Sequence, residues 1–231
     1  MSTTLSFLSP IQENLFAVEA LMRSQADGSY PELITALDLL VSAGGKRIRP
    51  AVSLLTGRML NAPQEILLNL SAAIELLHTA TLVHDDLIDG ALLRRGVATL
   101  NAQWTPGATV LTGDFMFARA AKLAAETNSV PVVKMFSQTL AIIVNGEITQ
   151  MFASRCNIDR KDYYHRIYAK TASLFETAAA AAAIVSDADE ETTEIMRVYG
   201  HEIGVAFQIV DDILDFRSEE RRVGKECRSR W

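Results

Sequence analysis

Cysteine is nearly missing from this chain. Its two copies, Cys156 and Cys227, form neither a disulfide framework nor a metal-ligand spacing, which fits a reducing compartment. Aromatic residues are also few, at 7% of 231 residues. Alanine, leucine and isoleucine dominate instead and favour helices over sheets. Basic residues are in deficit: the net charge of −6 offers nothing to a nucleic-acid partner. No uninterrupted apolar run reaches the ~18 residues of a membrane span. The start, MSTTLSFLSP, has neither the basic region nor the apolar core of a signal peptide. These absences leave a soluble cytoplasmic protein, long enough to bury one sizeable core.

What is present is helical periodicity, nearly continuous from about Pro10 to Phe216. Helices are expected to begin near Pro10, Pro31, Arg49, Pro63, Pro106, Val130, Asp159 and Asp189, several at a proline or aspartate that suits the first turn. No strand pattern interrupts them. The small residues from Ala178 to Ile184 let a neighbouring helix come close. An all-α bundle in one domain, residues 1–216, is predicted. Residues 217–231 differ, with six basic and three acidic side chains and no apolar period. They read as a charged, solvated or non-native tail.

Two carboxylate clusters share one design. Asp85, Asp86 and Asp89 lie in LVHDDLIDG, and Asp211, Asp212 and Asp215 lie in QIVDDILDF. Helical spacing turns two carboxylates of each set one way, with the third on the flank. Six acidic groups facing a shared space repel unless cations fill it. Oxygen donors suit Mg²⁺, which is usually completed by waters and substrate phosphates. His78 and Thr81 share the face of Asp85 and Asp89, and Gln208 precedes the second cluster.

Positive charge is concentrated elsewhere. Arg94 and Arg95 follow the first cluster in what reads as a loop, and paired guanidiniums fork onto phosphate. In SAGGKRIRP, two glycines precede Lys46, Arg47 and Arg49, a segment suited to a diphosphate but lacking the Walker A frame. Lys170 and Thr171 sit mid-helix among apolar residues. One acidic pole and one basic patch imply two phosphorylated ligands. The first diphosphate would leave with the help of metal and arginine, and the second would be held intact. The dipoles of Thr171 and Gln208 would then face the carbocation left by an allylic diphosphate.

These residues resemble the trans-isoprenyl diphosphate synthases, the polyprenyl synthetase family. The resemblance runs from about Gly44 to Phe216 through GGKRIRP, H-x6-DDLID, RRG four residues on, GDF at Gly113–Phe115, KTA at Lys170–Ala172 and FQIVDDILDF. It implies an isoprenoid synthase-type helical bundle around a deep central cavity, usually a homodimer. It also implies that Asp85, Asp89 and Asp211 bind Mg²⁺, assisted by Asp86, Asp212 and Asp215. Lys46, Arg49, His78 and Arg95 match the isopentenyl diphosphate site. Arg94, Lys170, Thr171 and Gln208 match the allylic side, where Lys170, Thr171 and Gln208 act on the reacting centre. Lys225 falls at the spacing of a further substrate-binding lysine, although its surroundings depart from the family pattern and the chain ends sooner than members do. The implied reaction is head-to-tail 1'-4 condensation of isopentenyl diphosphate with an allylic diphosphate. Small residues at Ala80 and Thr81, where early-terminating members carry aromatics, point to a product longer than farnesyl. The alternatives are a farnesyl or geranylgeranyl synthase, a class I terpene cyclase, and a non-catalytic subunit of a heteromeric synthase. Both intact aspartate motifs count against the last two.

Overall fold

Local capping chemistry sets where the helices start. The computed structural model describes residues 6–152 and 159–217, with side chains for 8–152 and 159–214. A 3-10 turn at Ser6–Ile11 contains Pro10 and leads into α1, Gln12–Ser24. Pro31 occupies the first turn of α2, Pro31–Ser42. Helices α3 and α4 follow at Ile48–Met59 and Gln64–Ile88. Two short strands come next, β1 at Leu93–Arg94 and β2 at Val97–Ala98, and then one helical turn, α5, at Leu100–Gln103. Thr105 caps α6, Pro106–Ala125, by accepting from the Ala108 amide, with proline in the next position. After α7, Val130–Phe152, the Asp159 carboxylate caps α8, Arg160–Ile167. A π-helical turn at Tyr168–Ala172 joins α8 to α9, Ser173–Ile184. Asp189 then caps the long α10, Glu190–Arg217, through the Thr192 amide at 2.7 Å.

The predicted starts agree with these to within a few residues, because proline and aspartate at first turns act locally. Three features depart from expectation. The segment after Asp89 forms an antiparallel hairpin with Arg94 opposite Val97. Its two central residues, Arg95 and Gly96, have φ of 52° and 79°, the mirror-image turn that matches strand twist. Strands of two residues are too short to leave a period in sequence. The helix expected from Asp159 carries the π turn, which periodicity alone does not reveal. Finally, α4 is long and apolar enough to cross a membrane by length and composition, with 67% of its most apolar window buried inside the bundle. Glu75 and His78 interrupt the run in sequence, yet the helix as a whole is apolar because it is the central one.

Helix α4 packs against α1, α3, α6 and α9, with Ala72, Ala73, Ile74, Leu76 and Leu77 sealed from solvent. Each leucine or isoleucine so buried contributes roughly 1.5–3 kcal/mol. Helix α9 is its slender partner, and all of Ala178–Ala183 are buried. Helix α10 lies directly on it. A Cβ on Gly200 would come within 2.5 Å of the Phe175 carbonyl oxygen, and one on Gly204 within 2.5 Å of the Ala172 Cα. That close approach sets the second aspartate motif on α10 beside the π turn that holds Lys170 and Thr171.

Candidate active site

The basic loop divides its charges between two directions. Arg47 is left-handed (φ 49°, ψ 33°), although arginine lacks glycine's freedom there. Its side chain is only 11% exposed and points inward. It donates to Glu19 and Glu75, each at 2.8 Å, and to the Val41 carbonyl at 2.7 Å. Burial opposes the charge, but the two glutamates outweigh it and raise the arginine's pKa. Arg47 is therefore a neutralised anchor joining α1, α4 and the end of α2, not part of an open basic patch. Lys46 turns the other way: its Nζ lies 3.6 Å from Asp211 Oδ1 and 5.2 Å from the Phe207 ring centre.

Arg49 lies over the Phe175 ring at 4.8 Å. Its Nε is sealed from solvent without a hydrogen-bond partner among the described residues. Burial pushes its pKa down to about 10 against the pull of Glu75 and Asp211. A guanidinium donor without a partner has capacity left for an anionic acceptor. The hairpin brings Arg95 to the same loop, where Nη1 donates to the Gly44 carbonyl. A Cβ on Gly45 would stand 3.0 Å from that nitrogen, so glycine makes room for the crossing. His78 faces Arg49, Arg95, Arg94 and Arg47. Burial first, and then these four charges, hold it well below its usual pKa, so it is neutral. A cavity of about 60 Å³ opens here between Leu39 and Leu40, His78 and Leu82, and Arg95 and Val97.

The first aspartate motif ends α4. Asp85 lies 3.5 Å from Lys170 Nζ, which also donates to Glu147 at 2.9 Å. Burial raises the Asp85 pKa despite Lys170. For Lys170, burial is outweighed by Asp85 and Glu147, and its pKa rises. Asp89 is the C-cap of the helix, its amide bonded to the Asp85 carbonyl. Asp86 has a partner of its own. It is buried, and both oxygens accept from Arg94 at 2.8–3.0 Å. Asp86 and Arg94, expected on the metal and on substrate, are paired with each other in this structure and tie the hairpin to α4.

On α10, Gln208 and Asp212 stand one turn apart, joined by Gln208 Nε2 donating to Oδ1 at 2.9 Å. The other oxygen of Asp212 accepts from the Tyr163 hydroxyl at 2.6 Å, and Thr171 Oγ1 donates to Gln208 Oε1 at 2.5 Å. Burial and the Asp212 bond push the Tyr163 phenol up to about 12, so it remains a donor. The side chain of Asp215, and Lys225, Cys156 and Cys227, lie outside the described residues.

Among the described residues no three carboxylate, imidazole or thiol groups are already clustered as a metal centre. Lys170 and Lys46 stand against one carboxylate of each wall, as charge balance requires. The donors on both walls are carboxylate oxygens, which fits Mg²⁺ completed by diphosphate oxygens.

The polyprenyl synthetase family profile matches residues 30–229. The chain belongs to the polyprenyl synthetase family. A prenyl transferase of Synechocystis is 38% identical over 99% of this chain and 72% of its own length. Octaprenyl diphosphate synthase of Escherichia coli is 38% identical over 80% of this chain, which spans only 58% of that protein's length. Among solved structures, polyprenyl synthase from Caulobacter crescentus, complexed with calcium and isoprenyl diphosphate, superposes with a TM-score of 0.86 at 36% identity. That match covers 90% of this chain and 64% of the other. The fold is therefore the all-α isoprenoid synthase fold.

For a polyprenyl synthetase, the residues placed together are Lys46, Arg49, His78 and Arg95 on one side, and Asp85, Lys170, Thr171, Gln208, Asp211 and Asp212 on the other. Ala80 is wholly buried in the core, and Thr81 bonds the His78 carbonyl at 2.7 Å. Glu75, Glu147 and Tyr163 escaped the sequence reading. Glu75 did leave a signal, an acid inside the apolar run AAIELLH that demands a buried partner. Glu147 and Tyr163 sit in ordinary helical surroundings and leave none.

Proposed function

We propose that this polyprenyl synthetase condenses isopentenyl diphosphate head-to-tail with an allylic diphosphate, in the presence of Mg²⁺, to form a trans-polyprenyl diphosphate longer than farnesyl. One observation carries the reading: Lys46 spans from the arginine-lined loop to Asp211. An anion-holding region and an acidic wall are thereby neighbours, as a two-diphosphate reaction needs. Mg²⁺, when bound by Asp85, Asp89 and Asp211, would neutralise the departing diphosphate. Arg49, with its orphaned Nε, and Arg95 would hold isopentenyl diphosphate by charge, and neutral His78 by hydrogen bonding. The allylic C–O bond breaks, the isopentenyl double bond attacks the carbocation, and the adduct loses a proton to the released diphosphate. Thr171 has its hydrogen engaged by Gln208, so its free lone pairs are the part able to face developing positive charge without reacting.

The name octaprenyl diphosphate synthase on a relative supports a long product, as does the small side chain at Thr81. The chain is proposed to work in the cytoplasm as a homodimer. Val110 and Leu111 on α6 and Val133 on α7 are exposed apolar side chains of the kind a partner subunit would cover. Incubation with radiolabelled isopentenyl diphosphate, farnesyl diphosphate and Mg²⁺, followed by chromatography by chain length, tests the reading. Products beyond farnesyl are expected. Failure to extend farnesyl diphosphate would refute the long-chain assignment.

A further inference from the structure

Tyr163 lies in the first half of α8, outside both aspartate motifs and 49 residues from Asp212 in sequence. We infer that it is a positioning residue for the second aspartate wall, acting through Asp212 on Gln208 and Thr171. The inference rests on the proposed function and adds to it the group that sets this wall's geometry.

Hydrogen-bond direction carries the argument. An ionised carboxylate only accepts, so the Tyr163 hydroxyl must donate to Asp212 Oδ2, at 2.6 Å. For the same reason the Gln208 amide must turn its NH₂ toward Oδ1, at 2.9 Å. That orientation leaves the Gln208 carbonyl facing Thr171, whose hydroxyl donates to it at 2.5 Å. The chain therefore runs in one sense, from both ends toward Asp212. Thr171 occupies the π turn, a backbone irregularity that often marks a functional position. Three segments, α8, the π turn and α10, are thus tied at one carboxylate.

Without the phenol, Asp212 keeps only the Gln208 side-chain bond among the described residues and can rotate about its terminal torsion, which is broad for a carboxylate. A phenol-to-carboxylate bond is charge-assisted and among the stronger ones. Outer hydrogen bonds to metal-ligating groups typically govern metal affinity by ~10-fold or more. Tyr163 bonds the Asp212 carboxylate directly. Its effect is on where the Asp212 oxygens point.

Full-length wild-type, Tyr163→Phe and Tyr164→Phe chains provide the test. Mg²⁺ binding is measured by calorimetry with inorganic pyrophosphate present, alongside thermal melts. Tyr163→Phe is expected to weaken Mg²⁺ binding by about tenfold with little change in melting temperature, and Tyr164→Phe to leave it unchanged. A lower melting temperature with unaltered Mg²⁺ affinity would mean that Tyr163 only braces α8 against α10, and would overturn the inference while leaving the proposed function standing. Failure of the wild-type chain to bind Mg²⁺ with pyrophosphate would overturn both.

Discussion

Replacing Arg47 by methionine keeps much of the side chain's bulk and removes its charge and donors. It leaves Glu75, whose side chain is 6% exposed, and Glu19, at 26%, without their shared cation. It also strands the Val41 carbonyl, now bonded at 2.7 Å. Breaking a buried ion pair from one side costs about 3–5 kcal/mol, chiefly through the charge left behind. For a chain of this size, each kcal/mol lowers the melting temperature by ~2–4 °C, so a fall of roughly 6–20 °C is expected. Three further variants isolate the cause. Arg47→Met combined with Glu75→Gln removes the stranded charge, and should recover about half of the loss. Arg47→Gly should be less damaging than Arg47→Ala by about 1 kcal/mol, because it relieves the left-handed backbone. Denaturant unfolding monitored by circular dichroism measures all four. A single-mutant cost below about 1 kcal/mol, or a double mutant no better than Arg47→Met, would refute the reading of Arg47 as a buried anchor.

Three other outcomes follow from the same geometry. Burial depresses the Arg49 pKa from its ordinary value to about 10, so its charge opposes folding at every pH below that. Arg49→Met should therefore raise the ligand-free melting temperature while weakening pyrophosphate binding, read by melts and calorimetry together. His78 is held neutral, its folded pKa below the ordinary 6.5. Below about that pH the unfolded chain takes up a proton that the folded chain refuses, so stability falls on acidification. Unfolding curves from pH 7 to pH 5 should show a shallower decline in His78→Gln. Gly204→Ala places a Cβ 2.5 Å from the Ala172 backbone and should cost about 1–3 kcal/mol by overpacking. It should also lower turnover, because Ala172 adjoins Thr171, and parallel melts and rate assays check this.

Much of the architecture was legible because its signals are local. Pro31, Pro106, Asp159 and Asp189 stop and start helices through their own backbone and side chains, so they read correctly without tertiary information. The aspartate motifs were legible for a related reason: each is a clustered charge in an apolar helix, improbable without a compensating ligand. What stayed hidden depends on partners distant in sequence. Asp86 reads like Asp85 and Asp89, but only the hairpin determines that Arg94 claims it. Lys46 and Arg47 are adjacent and equally basic, and a single left-handed residue sends one to Asp211 and the other to Glu75. The π turn and Tyr163 gave no compositional warning, since both rest on contacts between α8 and α10.

The most direct test of the two-diphosphate arrangement is diphosphate release from farnesyl diphosphate by the whole chain in Mg²⁺, with and without isopentenyl diphosphate. The arrangement predicts release that depends on Mg²⁺, rises sharply when isopentenyl diphosphate is added, and matches prenyl transfer mole for mole. Release that is rapid with the allylic diphosphate alone and indifferent to isopentenyl diphosphate would contradict it, and so would no release with both present.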